Sequence, residues 1–408
     1  MATSDGGSGK GIDWSRLGER TDWSDWRSWL KELSGIDWTA LTPRAPTRPE
    51  QPAPGPIELT LAAWAEDEPG DKHAEQIELS YPALREWWLR EGGDARTPSG
   101  EAGERLAEHM PELVPTWRRL TEMVDDEHAG AVLALWDPPA FLTGCSQAAV
   151  PGRSPALVRN YDWDYRLYDG VVMRTAYGGR RVLGMGDCLW GLLDGVNDAG
   201  IAVSLTFGGR PNVGTGFGIP IVLRYVLQTS DAIDAAVDAL TRIPVHMSYN
   251  VTVLDAEGRH ATVYVAPDRP AQVTDRAVTT NHQGKVEWKP YAAAIRSVER
   301  SDRLDALLAE GADTATVVAA LLREPLYATK FHEGFGTLYT AEYRPGDGSA
   351  IYHWPERTWE HSIDSVAEET VHLLVGDDRP DARATGRWRT CCHTLVGFSG
   401  DRSCWRTD

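Results

Sequence analysis

Thr143 to Trp163 reads T-G-C-S-Q-A-A-V-P-G-R-S-P-A-L-V-R-N-Y-D-W. A Gly144-Cys145 junction is followed by short apolar runs on both sides of a Pro151-Gly152 turn, and the second run closes on a polar cluster, Arg159, Asn160, Tyr161 and Asp162. An interior cysteine is ordinarily a small buried hydrophobe. Position sets Cys145 apart, because D-P-P-A-F-L-T-G leads the chain to it extended and through a glycine. If the Gly144-Cys145 bond is cut, one residue carries a thiol of pKa about 8.5 and an α-amine of about 7.7–8.0. Nucleophile and base then coincide, and no separate histidine is needed to take the thiol proton. Gly144 is expected to accept the strained backbone that an N-to-S acyl shift demands.

Working outward, the two hundred residues beyond Cys145 carry strand-like runs: A-L-V-R-N-Y-D-W, G-V-V-M-R-T-A-Y, I-A-V-S-L-T-F, Y-N-V-T-V-L-D and H-A-T-V-Y-V-A. Asp255 to Gly258 is a natural hairpin turn, and Gly336 to Trp354 forms a second hairpin across P-G-D-G. Helical patterns fall at Ile219 to Leu227, Ala232 to Leu240, Leu304 to Leu308 and Thr316 to Leu322. Grouped strands with internal hairpins, separated by helices, favour antiparallel sheets with helices stacked on them.

Four segments follow. Residues 1–56 form a Trp- and Pro-rich head with the echo G-I-D-W and a linker that cannot pack as helix or sheet. Residues 57–144 open with a strand-like I-E-L-T-L-A-A-W and continue as helical pieces, the first beginning near Pro82. Residues 145–366 are the core, and 367–408 a flexible tail. The chain of 408 residues is long enough for one large core with appendages.

A net charge of −19 lacks the basic field that nucleic acid or an anionic membrane requires. Five cysteines and eleven histidines show neither paired Cys-x-x-Cys nor His-Glu-x-x-His spacing, so no metal and no disulfide framework is expected. With no apolar leader and no spanning run, a cytoplasmic protein is expected.

The motifs G-C-S-Q-A, L-V-R-N-Y-D-W, G-M-G-D-C-L-W-G-L-L-D-G-V-N-D-A-G-I-A-V-S-L, Y-N-V-T-V-L-D-A-E-G, T-T-N-H and G-T-L-Y-T stand in order between Ile57 and Ile363. Together they resemble the acyl-CoA:isopenicillin N acyltransferase family of N-terminal nucleophile hydrolases, and more distantly the choloylglycine hydrolases and penicillin V acylases. The resemblance implies an α+β fold, a four-layer αββα sandwich of two antiparallel sheets, with self-cleavage before Cys145. It implies Cys145 as nucleophile, Asp162 as the acid that holds its amino group, and Arg159 beside the sulfur. Asn281 would orient the amine or bind the oxyanion, as a directed amide donor can. Where distant relatives carry an asparagine, this chain has Thr206, whose hydroxyl is a shorter-reaching donor to an oxyanion. His282 is expected as a wall residue, and Asn250 as a tie between strands.

The function expected is a self-processed cysteine amidohydrolase or acyltransferase, working through an acyl thioester on a small-molecule amide or acyl donor. It needs no cofactor, though acyl-CoA could serve as co-substrate. Fragments 1–144 and 145–408 would stay associated. The oligomeric state is left open. A silent scaffold that keeps the fold uncut is the alternative, and a conventional Cys-His peptidase is disfavoured because no histidine has an evident place.

Overall fold

The computed structural model describes residues 55–376 other than 91, 94, 95 and 142. The Trp-rich stretch around Trp26 and the cysteines 391, 392 and 404 lie outside the described residues.

Strand β1 (Ile57–Ala65) buries Leu59, Leu61 and Ala63 on alternate positions. Helix α1 (Asp71–Leu89) follows, starting well before Pro82. His73, Ile77, Tyr81 and Trp88 share its buried face at intervals of four, four and seven, and the exposed Pro82 is carried inside the helix. Packing of that stripe outweighs the one backbone donor that proline removes. Helices α2 (Ser99–His109), α3 (Val114–Glu122) and the fully buried α4 (Ala129–Ala134) complete a helical segment ahead of the core.

The chain then runs through β2 (Gly144–Val150), β3 (Ala156–Trp163), β4 (Val171–Thr175), β5 (Val182–Asp187), β6 (Gly191–Asn197) and β7 (Ile201–Phe207). Helices α5 (Ile219–Thr229) and α6 (Ile233–Arg242) lead to β8 (Tyr249–Asp255), β9 (His260–Val265), β10 (Gln272–Thr274) and β11 (Val278–Thr279). Next come α7 (Lys289–Ala294), α8 (Ser297–Ala309) and α9 (Thr314–Leu321), then β12 (Thr329–Lys330), β13 (Phe335–Arg344), β14 (Ser349–Trp354), β15 (Arg357–Ser362) and β16 (Thr370–Val375).

One sheet has the order β10-β9-β8-β7-β6-β5-β4-β1-β16, and the other β11-β2-β3-β13-β14-β15 with β12 beside β13. Every pairing is antiparallel except β1 against β4. The sheets face each other where β2 and β3 lie over β7, and β13 and β14 over β6. Helices α5 and α6 cover the outer face of the first sheet. On the outer face of the second, Ala148, Val150 and Val158 pack with Leu304, Val317 and Leu321 of α8 and α9. The result is the expected four-layer αββα sandwich.

Two details differ from the sequence-based expectation. Residues 370–375, placed in a tail, form β16 and close the first sheet against β1 with Val371 and Leu373 buried. β5 and β6 escaped notice as strands because glycines and aspartates interrupt their apolar pattern; both are almost wholly buried.

Candidate active site

Alternation along β2 and β3 sorts the site into two faces. Cys145, Gln147, Arg159 and Tyr161 point between the sheets, where Gln147 reaches Ser204 and Thr252 of the opposite sheet. Ser146, Asn160 and Asp162 point towards the outer helices, Asn160 donating to the carbonyls of Leu321 and Leu326. Arg159 and Asp162, three apart on one strand, therefore cannot pair with each other. Each has its own partner of opposite charge.

On the inner face, Arg159 Nη2 donates to Cys145 Sγ at 3.3 Å, and its Nη1 is held by Asp194 Oδ2 and the Leu193 carbonyl, each at 2.8 Å. Asp194 also accepts from the hydroxyls of Tyr339, at 2.7 Å, and Tyr343. All of these side chains are buried. A buried guanidinium is retained when its carboxylate is itself fully hydrogen-bonded, and that condition is met here. Burial opposes its charge, but Tyr339 and Asp194 beside it hold Arg159 protonated.

On the outer face, Arg300 of α8 gathers the backbone around the junction. Its Nη1 donates to the Cys145 carbonyl at 2.6 Å and to Ser146 Oγ at 2.7 Å, and its Nη2 to Asn281 Oδ1 at 2.7 Å. Asp162 Oδ2 lies 3.5 Å from Arg300, and its Oδ1 accepts from Thr337 at 2.7 Å. Asn281, and not Asp162, accepts from the Cys145 backbone N–H, with N to Oδ1 at 3.1 Å. Burial raises the Asp162 carboxyl above its ordinary range, with Arg300 and Thr337 pulling the other way.

The Cys145 thiol is fully buried, and burial pushes it up, while Arg159 draws it down. Thr143 Oγ1 lies 3.7 Å from the sulfur. The Thr143 carbonyl sits where two donors converge, the Tyr291 hydroxyl at 2.8 Å and Asn281 Nδ2 at 3.4 Å.

Gly144 does not have a left-handed φ, so backbone strain is not its reason for being glycine. A Cβ there would stand 2.4 Å from Phe335 Cζ and 3.1 Å from Asp162 Cβ. Space, not conformation, selects it. Gly209, by contrast, has φ +67°, and a Cβ would fall 2.1 Å from the Asn281 carbonyl, so the loop after β7 closes directly on the asparagine.

Thr206 is not beside the thiol's donors. Its hydroxyl donates to the Thr280 carbonyl at 2.6 Å and accepts from Asn250 Nδ2 at 2.9 Å. With its one hydrogen committed to the Thr280 carbonyl, Thr206 ties β7 to the segment that carries Asn281. Asn250 also bonds the Thr280 and His282 carbonyls, tying β8 to the same segment. His282 is half-buried and turns to Ser297 Oγ at 2.9 Å.

Arg300, Asp194 and Tyr291 went unmarked in the sequence. Arg300 and Tyr291 sit in an otherwise ordinary polar helix region; the only signal for Asp194 was its place in L-L-D-G-V-N, a charge within an apolar strand. Among the described residues no group of three or more His, Cys, Asp or Glu side chains is placed to hold a metal ion, and no helix is long and apolar enough to cross a membrane.

A cavity of about 800 Å³ opens next to this site, lined among others by Tyr161, the neighbour of Cys145 across β2 and β3, and by Phe141 of the segment leading to the junction.

No curated protein matches the sequence. Similar solved structures include the C2A mutant of conjugated bile acid hydrolase from Clostridium perfringens, at 14% identity over 57% of this chain and 97% of that one, TM-score 0.41. Penicillin V acylase from Agrobacterium tumefaciens aligns at 12% identity over 56% and 90%, TM-score 0.38. The Caenorhabditis elegans ortholog of N-acylethanolamine-hydrolyzing acid amidase aligns at 18% over 57% and 100%, TM-score 0.39. The family model for acyl-coenzyme A:6-aminopenicillanic acid acyl-transferase matches residues 150–359, which begins just past Cys145 and spans just over half of the chain. The chain, with its two-sheet αββα core, belongs to the acyl-coenzyme A:6-aminopenicillanic acid acyl-transferase family.

Proposed function

We infer that this protein cuts its own Gly144-Cys145 bond and then acts on amides through the freed Cys145. The observation that carries this reading is the double hold on one residue: Arg159 Nη2 at the sulfur and Asn281 Oδ1 at the nitrogen. In the uncut chain the sulfur attacks the Gly144 carbonyl carbon. The C–S bond forms, the C–N bond breaks, and the nitrogen of Cys145 leaves as an amine after taking a proton. Water then hydrolyses the thioester, releasing the Gly144 carboxylate and the thiol.

After cleavage the amine still donates to Asn281 Oδ1, which turns its lone pair towards the sulfur, and at about pKa 7.7–8.0 it can take the thiol proton. Arg159 stabilises the resulting thiolate. The Tyr291 hydroxyl and Asn281 Nδ2, which meet at the Thr143 carbonyl before cleavage, are left free for a substrate oxyanion once that segment withdraws. The acyl thioester on Cys145 passes to water or to an amine, according to how well water is excluded. Acyl-CoA is one donor the family name brings into scope, and no cofactor takes part in these steps.

Intact mass spectrometry of the purified protein tests this reading. Two chains are expected, one ending at Gly144 and one beginning at Cys145, and Cys145→Ala should leave a single inactive chain. A full-length protein that turns over amides would overturn it.

A further inference from the structure

Arg159 is gripped at one end only. Its Nε, though buried, has no hydrogen-bond partner among the described residues, and its Nη2 donates to the sulfur of Cys145 at 3.3 Å. Both remaining holds are on Nη1, from Asp194 Oδ2 and the Leu193 carbonyl at 2.8 Å each. The rings of Tyr161 and Tyr339, centred 5.1 and 5.9 Å from the guanidinium carbon, confine it to a slot without directing its edges. The direction in which Nη2 points is therefore decided at Nη1, chiefly by a carboxylate bonded to the opposite nitrogen.

Asp194 is held in turn from the second sheet. Tyr339 and Tyr343 stand four apart on β13 and share its inner face. The first donates to Asp194 Oδ2 at 2.7 Å and the second to Oδ1, and Tyr343 is linked onward to the Tyr352 hydroxyl of β14 at 2.9 Å. Arg159, Asp194 and all three tyrosines are 0% exposed. Water does not screen charge here, so a change at one member is felt along the others. Phenol donors take up part of a carboxylate's negative charge. More of the guanidinium's charge is then left for the sulfur, where a neighbouring cation favours the thiolate. Burial pushes the Cys145 thiol up, and Arg159 is the largest influence drawing it down. The other ionisable groups facing the sulfur are Asp162 and Arg300, which pair with each other on the outer face, and the phenols of Tyr161, Tyr249 and Tyr291, which burial keeps neutral.

We propose that Asp194, backed by the Tyr339 and Tyr343 hydroxyls, is the positioning residue of Cys145: it turns Arg159 Nη2 to the sulfur, and the share of its charge that the phenols take up sets how far the guanidinium favours the thiolate. The ionisation of the sulfur stands on these contacts alone; that the ionised sulfur attacks amides rests on the reading above.

Thiolate absorbance in the far ultraviolet, followed against pH on the full-length protein and differenced against the same chain with Cys145→Ala, tests this. Intact mass taken alongside gives the form present, so that cut is compared with cut and uncut with uncut. Asp194→Asn keeps the shape and an oxygen for Nη1 but removes the negative charge, so the thiolate fraction at neutral pH should rise about tenfold, one unit of titration. Tyr343→Phe leaves the carboxylate charge undispersed against Arg159, and the fraction should fall about threefold. Tyr343→3-fluorotyrosine, a stronger donor of nearly the same shape, should raise it, and keeps the test open should Asp194→Asn fail to fold. If these groups only brace the fold, every substitution loosens Arg159 and lowers the thiolate fraction. Shifts of one sign throughout, or no shift, would overturn the proposal. Opposite shifts in a chain that never cuts itself sustain the tuning and sink the amidase; two fragments with shifts of one sign do the reverse.

Discussion

Arg300 Nη1 stands 2.6 Å from the carbonyl oxygen of Cys145, and the same guanidinium reaches Asn281 Oδ1 at 2.7 Å. One planar side chain thus sets the spacing between Cys145 and the amide that holds its nitrogen. Lysine keeps the charge but offers a point donor that cannot span these acceptors together. Arg300→Lys should fold, because a cation still faces Asp162, yet cleave more slowly by about 10²-fold, the order found when one preorganised donor is lost. A time course of intact mass, with a thermal melt as control, gives the answer. A rate within twofold of the unaltered chain would remove Arg300 from the processing apparatus.

Asp194 is the anchor of Arg159 on the inner face, and its carboxylate takes two further donors, the hydroxyls of Tyr339 and Tyr343, while the Leu193 carbonyl shares the guanidinium. Asp194→Leu leaves a buried guanidinium without its counter-charge, so a loss of about 3–5 kcal/mol is expected. Tyr343→Phe removes one neutral donor and should cost about 1 kcal/mol. Urea unfolding of both variants on a Cys145→Ala background measures this without interference from cleavage. Equal losses would mean that the carboxylate is not what carries Arg159.

How far the site was legible in the sequence follows from its geometry. Cys145, Arg159 and Asp162 lie on two adjacent strands joined by a tight turn, so their proximity could be read from a stretch of twenty residues. Strand alternation was available too, and it already separates Arg159 from Asp162, though nothing in the sequence says which distant residue meets each. Asp194 and Arg300 come from the opposite sheet and an outer helix, and pairings across layers leave no periodic trace. The helical and hairpin elements with clear patterns appeared where expected. Those with diluted patterns, β5, β6 and the proline-bearing α1, depend on packing that local propensity does not report.

Gly144 meets Phe335 at the distance where a methyl group would collide. Gly144→Ala should therefore destabilise the uncut chain by about 1–3 kcal/mol, the usual range for overpacking. It should also displace the scissile carbonyl and slow cleavage. Adding Phe335→Leu creates room, so the double variant should recover both stability and cleavage. Failure of the second substitution to help would point to the backbone of Gly144, and not its lack of a side chain, as the requirement.

Asp187 gives the chain a signature in pH. Its folded value, up to about 8, stands above the unfolded carboxylate value of about 3.9, so the folded state holds the proton longer. The stability it contributes is complete below about pH 4 and is lost as pH rises towards 8. Asp187→Asn cannot lose a proton and escapes this loss. The melting temperature of the variant should match the unaltered protein near pH 4 and exceed it by a margin that widens up to pH 8. Asp169, raised by the same burial, leaves part of the slope in place. Parallel curves for the two proteins across this range would contradict a carboxylate buried without a counter-charge.

β1 comes from before the junction, yet it lies between β4 and β16, both from beyond it. Residues 62–65 pair in parallel with 171–174, and residues 57–62 antiparallel with 370–375. Leu59, Leu61 and Trp88 of the upstream segment are buried in the same apolar core as Val172 and Leu373. Cutting the Gly144-Cys145 bond removes a covalent link but none of these contacts, and withdrawing β1 would open two ladders inside a sheet. The two fragments should therefore co-elute as one species in size-exclusion chromatography and part only in strong denaturant. Mixed after separate expression, they should not need to exchange once joined. Loss of the small fragment on dilution, with activity kept by the large one, would show that β1 is dispensable and that the sheet closes without it.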